Sequence, residues 1–82
     1  MNVHQIMKPG DMEDDSILKR TRYPVQLWEQ PHGNGKGFQV CIWVTDTTAS
    51  ENYLWAYRKS FVDANELFNK TCCLFPNLPP EV

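Results

Sequence analysis

Between Phe38 and Thr45 the chain alternates without a single charge, with Phe38, Val40, Ile42 and Val44 on one side and Gln39, Cys41, Trp43 and Thr45 on the other. A period of two sustained over such a run is the pattern of a strand, and a strand uncharged on both faces belongs in the middle of a sheet. Any fold for this chain has to be built around that segment.

Two further alternating runs flank it. Tyr23, Val25, Leu27 and Glu29 alternate with Pro24, Gln26, Trp28 and Gln30, and from Asn52 to Ser60 the residues Tyr53, Trp55 and Tyr57 oppose Leu54, Ala56 and Arg58. Pro24 has no N–H to give a ladder, which predicts an edge position for the first run. The segment from Pro31 to Gly37 is dense in turn-forming residues and predicts a hairpin loop, and Asp46 to Glu51 is a polar connector. Pairing Val44 with Asn52, Ile42 with Leu54 and Val40 with Ala56 gathers aliphatic side chains on one face and sets Trp43 beside Tyr53 and Cys41 beside Trp55. A slip of one residue would reverse every side chain.

A helix follows. Asp63 with Glu66 three positions later, and Val62 with Leu67 placed as a hydrophobic staple, predict a helix over about 64–74 with Asp63 as its N-cap. Ala64, Leu67, Phe68, Thr71 and Cys72 recur at spacings of three and four and form a stripe suited to lying on the sheet, and Pro76, Pro79 and Pro80 prevent continuation. The expected fold is α+β: a three-stranded antiparallel meander with one C-terminal helix packed on one face, spanning 23–75 as one domain. A mobile N-terminal arm, 1–22, precedes it and a Pro-rich tail, 76–82, follows. Within the arm, Pro9-Gly10 is a break, and the Asp15–Lys19 spacing suits a short helix over 13–20.

With 82 residues there is room for one core. A hydrophobic content of 41% beside a charged fraction of 22% describes a folded domain rather than a disordered one. The formal net charge of −2 excludes a protein whose whole surface traps nucleic acid, although local basic patches remain. Cys41, Cys72 and Cys73 make no disulfide framework, since they are odd in number and two are adjacent. The N-terminus has no apolar core of a signal peptide and no run approaches a membrane span, so the expectation is a cytoplasmic protein that does not enter membranes.

The residues for catalysis are sparse. Only His4 and His32 are present, and neither stands at a motif spacing from a nucleophile or carboxylate. Cys72-Cys73 lacks the C-x₂₋₄-C spacing and the further ligands of a metal site. The glycines from Gly33 to Gly37 feed a strand, whereas a phosphate cradle feeds a helix. The acidic run lacks the spacing of a calcium loop. The expectation is a non-enzymatic protein with no cofactor and no metal.

What remains is an aromatic sheet face. Trp28, Trp43, Tyr53, Trp55 and Tyr57 collect opposite the helix, and Tyr and Trp are enriched where binding energy concentrates. The expected partner-binding set is Trp28, Trp43, Trp55 and Tyr57 with Arg58 and Lys59 at the rim, and a secondary set is the acidic run Asp11, Glu13, Asp14 and Asp15. The alternative is that residues 1–22 fold back over the face. The functional expectation is a protein-binding module, a regulator or stoichiometric inhibitor of a larger complex; inhibitors from phages and mobile elements share this size, an analogy of size alone. The competing class is nucleic-acid binding, with rings stacking on bases and Lys36, Arg58, Lys59 and the Lys19, Arg20, Arg22 cluster on phosphates. Homodimerisation through the aromatic face or an open sheet edge is compatible with either.

Overall fold

The computed structural model describes residues 8–9, 12–44 and 53–81. The elements are β1 (Ile17–Arg22), β2 (Val25–His32), β3 (Gly35–Trp43), β4 (Tyr53–Arg58) and α1 (Phe61–Cys72). The strands form one antiparallel sheet in the order β1-β2-β3-β4, with α1 packed on one face. The α+β meander with a C-terminal helix is present, but the sheet has four strands where three were expected.

The additional strand lies in the segment expected to be a mobile arm, and Ile17 to Arg20 form strand where a short helix over 13–20 was expected. The cause is an irregularity between Leu18 and Arg20: Leu18 pairs with Trp28, yet Thr21 pairs with Gln26. Leu18 and Thr21 therefore face the same side although they are three positions apart, a spacing that resembles a helix more than a strand. β2 is consequently internal. Pro24 does not weaken it, because the proline sits in the turn before the strand, after a cis Tyr23-Pro24 bond, and its carbonyl accepts from the Trp43 N–H at 2.8 Å.

The β2–β3 hairpin closes through Gly33-Asn34. Gly33 has φ +60° and no non-glycine residue described has a positive φ, which is the pattern of a type II′ turn and requires glycine at its first central position. In β3–β4 the partners are Ile42 with Leu54, Val40 with Ala56, Trp43 with Tyr53 and Cys41 with Trp55. That is the register the aliphatic clustering favours; the Val44–Asn52 pair lies outside the described residues.

Helix α1 starts earlier than expected. Ser60, with extended backbone, is the N-cap, and its hydroxyl accepts from the Asp63 N–H at 3.2 Å. Asp63 thus stands at the third helical position, where its charge still favours the positive end of the helix dipole. Of the expected stripe, Ala64, Phe68, Thr71 and Cys72 are buried and Leu67 is only half-buried.

Both faces of the sheet are covered at their centre. On the helix side Val25, Leu27, Phe38 and Val40 pack with Ala64, Phe68 and Cys72, extended by Leu67, Phe75 and Leu78. On the other side Trp28, Cys41, Trp43 and Tyr53 pack together under Met12, Leu18 and Tyr23. The Pro-rich tail is fastened to β1. Arg20 makes a bidentate contact with Glu81 (2.6 and 2.7 Å), donates to Asn65 and Asn69 of α1, and lies 4.3 Å from the Phe68 ring centre, while Arg22 Nε donates to the Pro79 carbonyl at 3.0 Å.

Candidate partner-binding surface

A helix is about 10–12 Å across, whereas four strands spaced about 4.8 Å apart make a broader sheet, so one helix leaves a margin bare. Here α1 lies mainly over β2 and β3. The β1 margin is closed by Arg20, Arg22 and the tail they hold. At the β4 margin, among the described residues, an apolar groove of about 220 Å³ remains, lined by Val40, Ile42, Leu54, Trp55, Ala56, Leu67 and Thr71. Of these, Leu54 and Trp55 are 63% and 61% exposed, and Val44, just beyond the end of β3, is 62% exposed.

The expected binding residues separate into two groups. Trp28 and Trp43 are 5% and 4% exposed, which corrects their placement on an open face. Both indole N–H groups donate to Gln26 Oε1 at 2.9 Å, with the Cys41 thiol at 3.6 Å from the same oxygen. One fully buried glutamine carbonyl therefore satisfies two tryptophans, and these rings are pillars of the second core, beyond a partner's reach while Met12, Leu18 and Tyr23 cover them. Of the segment 1–22 that could fold back over this face, Met12 and Leu18 pack against the rings. Trp55, by contrast, projects from β4 into open space. Tyr57 is half-buried, tilted against His32 at 5.1 Å between ring centres, and its ring lies so close over Gly37 that a β-carbon there would collide with it. Arg58 and Lys59 are exposed at the end of β4, and Arg58 donates to the Tyr57 carbonyl at 2.8 Å.

In the acidic set, Glu13, Asp14 and Asp15 are exposed, Asp14 lies 3.9 Å from Lys8, and Asp11 lies outside the described residues. The basic side chains are largely engaged: Lys19 and Lys36 both approach Glu29, at 3.8 and 3.6 Å, and Arg20 is clasped to Glu81. A second cleft of about 410 Å³ is lined by Asp15, Glu29, Gln30, Pro31, Gly35 and Lys36, whose ionisable side chains are two acids and one base.

For Cys41 and Cys72, thiol chemistry is disfavoured by the surroundings. Burial pushes the Cys41 thiol up to about 12 and raises Cys72 as well, the reverse of what a nucleophile needs. Among the described residues no three His, Cys, Asp or Glu side chains gather where a metal ion would bind, and no helix is long and apolar enough to cross a membrane.

Sequence reasoning missed Val44, Ile42, Leu54 and Leu67 as surface residues because it assigned the aliphatic face wholly to the core. The width of the sheet was the available signal, and it became readable only with the fourth strand. Comparison with protein-family models, curated proteins and solved structures returns no match.

Proposed function

We propose that the chain is a small non-enzymatic protein-binding module, a regulator or stoichiometric inhibitor that docks on a larger protein through the outer side of β4 and the groove beside α1. The observation that carries this reading is that Leu54 and Trp55, each more than 60% exposed, line an apolar groove at a strand edge that no other described strand pairs. Contiguous apolar area of this kind is uncommon on a surface that meets only water, and a tryptophan offers large contact area at small entropic cost. Protein is favoured over nucleic acid because two of the three tryptophans needed for base stacking are core, and Lys19, Arg20 and Lys36, half of the basic groups that would meet phosphates, already face carboxylates. The unpaired thiols suit a reducing cytoplasm.

The test places a photo-crosslinking residue at position 55 in the native cell and identifies the protein captured. Its affinity is then compared between wild type, Trp55→Ala and Lys59→Ala. Trp55→Ala should weaken binding by about 2 kcal/mol or more without unfolding the domain, and Lys59→Ala by less than about 1. Unchanged affinity in Trp55→Ala, together with loss of the complex on charge reversal at Glu13, Asp14 and Asp15, would move the working surface to the acidic segment.

A further inference from the structure

Among the described residues, Gln39 Oε1 and Ser16 Oγ are buried side-chain atoms without a hydrogen-bond partner, and Gln39 lines a cavity. Gln39 is only 9% exposed and stands on the tryptophan side of the sheet, with Trp28 and Tyr57 as its cross-strand partners. Burying a carbonyl oxygen unpaired is costly, and native proteins keep such a group where something else comes to satisfy it. The cavity holds about 250 Å³ between Met12, Glu13, Gln30, Pro31 and Gln39. That volume suits a group of side-chain size rather than a drug-sized ligand.

The lining asks for a donor that carries positive charge. Glu13 is exposed, and among the described residues its carboxylate meets no cation: Lys8 approaches Asp14, while Lys19 and Lys36 are drawn to Glu29, which pairs with Phe38 on the helix side of the sheet. One carboxylate and two amide side chains therefore offer oxygens to the same space. No three metal-ligating side chains gather among the described residues, so the acceptors are not those of a metal ion. An ammonium is a strongly hydrated point charge, whereas a guanidinium is planar, weakly hydrated and presents five N–H donors, enough to meet a carboxylate on one edge and amide oxygens on the others. The wall that carries Glu13 is also fixed in place. Met12 packs on the second core, its N–H donates to the carbonyl of fully buried Pro9 at 3.2 Å, and the Ser16 N–H donates to the Glu13 carbonyl at 3.1 Å. Such a wall needs little ordering when a ligand arrives.

We propose that this cavity is a guanidinium-binding site in which Gln39 Oε1 and the Glu13 carboxylate accept N–H bonds from a small guanidinium compound or from an arginine side chain of another protein. The cavity lies across the sheet from the groove beside α1, so this site stands or falls independently of the β4 surface.

The probes are N-acetyl-arginine methylamide, methylguanidinium and N-acetyl-lysine methylamide, each titrated to about 20 mM into the isotope-labelled full-length chain, with the side-chain amide signals of Gln39 and Gln30 read by nuclear magnetic resonance. The capped arginine should shift both signals saturably with a Kd of about 1–10 mM, and the capped lysine should bind at least about fivefold more weakly. Glu13→Gln should raise the Kd for capped arginine at least about threefold, because bonds to a carboxylate are charge-assisted. Gln39→Leu, read at Gln30, should lose saturable binding and unfold at no lower urea than wild type, since it removes an unpaired buried oxygen. Glu13 is exposed, so Glu13→Gln should keep the wild-type midpoint and tests the site even where Gln39→Leu folds poorly. Tighter binding of capped arginine than of methylguanidinium supports the site with a protein arginine as its source, and equal affinities support it with a small free compound. No saturable shift with either guanidinium, an equal response to the capped lysine, or a Kd unchanged in Glu13→Gln overturns the inference.

Discussion

Gln26 shows how one residue governs a face of the sheet. Its carbonyl accepts from both buried indoles, so Gln26→Leu would leave two donors unsatisfied in a water-excluded site, at about 1–3 kcal/mol each. We expect that variant to lose roughly 2–4 kcal/mol in urea unfolding, and Trp28→Phe in the Gln26→Leu background to recover part of the loss, because it deletes one of the orphaned donors. A full loss that Trp28→Phe does not reduce would mean that packing, not the shared acceptor, dominates. The thiols give a second residue-scale expectation. Exposed Cys73 should react with a thiol reagent in the native state, whereas Cys41, buried and pushed up to about 12, should react only on unfolding. Equal labelling of Cys41 and Cys73 in native buffer would contradict the burial of the second core. Neither role was legible in the sequence: Gln26 reads there as an ordinary polar residue in an alternating strand, and which tryptophans it serves depends on register.

At the scale of elements, β2, β3, β4 and α1 were legible because alternation and a capping signature are local properties, and even the β3–β4 register followed from matching Ile42 with Leu54 and Val40 with Ala56. β1 was not, since its irregularity replaces a period of two with the three-residue step from Leu18 to Thr21. The helix boundary erred for a related reason: Ser60 and Asp63 both suit an N-cap, and only the geometry shows the Ser60 hydroxyl taking the Asp63 N–H. The structure therefore ranks the two substitutions. Ser60→Ala should cost about 1 kcal/mol by losing the cap, and Asp63→Ala about 0.5 through the dipole alone, as measured by chemical denaturation. The reverse order would restore Asp63 as the cap. Phe68, fully buried, replaces the half-exposed Leu67 as the helix's anchor, and Phe68→Ala should cost about 3–5 kcal/mol.

The whole molecule is held at its ends by contacts that no local pattern announces. Met12 and Leu18 close one face over the tryptophans, and the tail closes the other side through Arg20, whose partners Asn65, Asn69 and Glu81 lie 45, 49 and 61 residues away in the chain. The sequence shows only a basic cluster and a Pro-rich terminus, and a pairing across that separation has no periodic signature. The candidate surface was half legible for the same reason: Trp55 with Arg58 and Lys59 lies on it, but excluding Trp28 and Trp43 required knowing what covers them. The clasp between β1 and the tail makes the last prediction. The Arg20 guanidinium, by direct hydrogen bonding, holds the Glu81 carboxyl below its ordinary value of 4.5, and burial opposes this only in part. A carboxyl lowered in the folded state contributes stability that is fully present above that ordinary value and lost as pH falls through the lowered one. Glu81 is partly exposed, so solvent screening limits the contribution to about 1 kcal/mol. Glu81→Gln should therefore unfold at lower urea than wild type at pH 7, and the gap should narrow steadily below about pH 4 as the wild-type carboxyl takes up its proton. A gap that persists unchanged at pH 3 would show that the tail is held by Phe75, Leu78 and the Arg22–Pro79 contact, with the ion pair contributing nothing measurable.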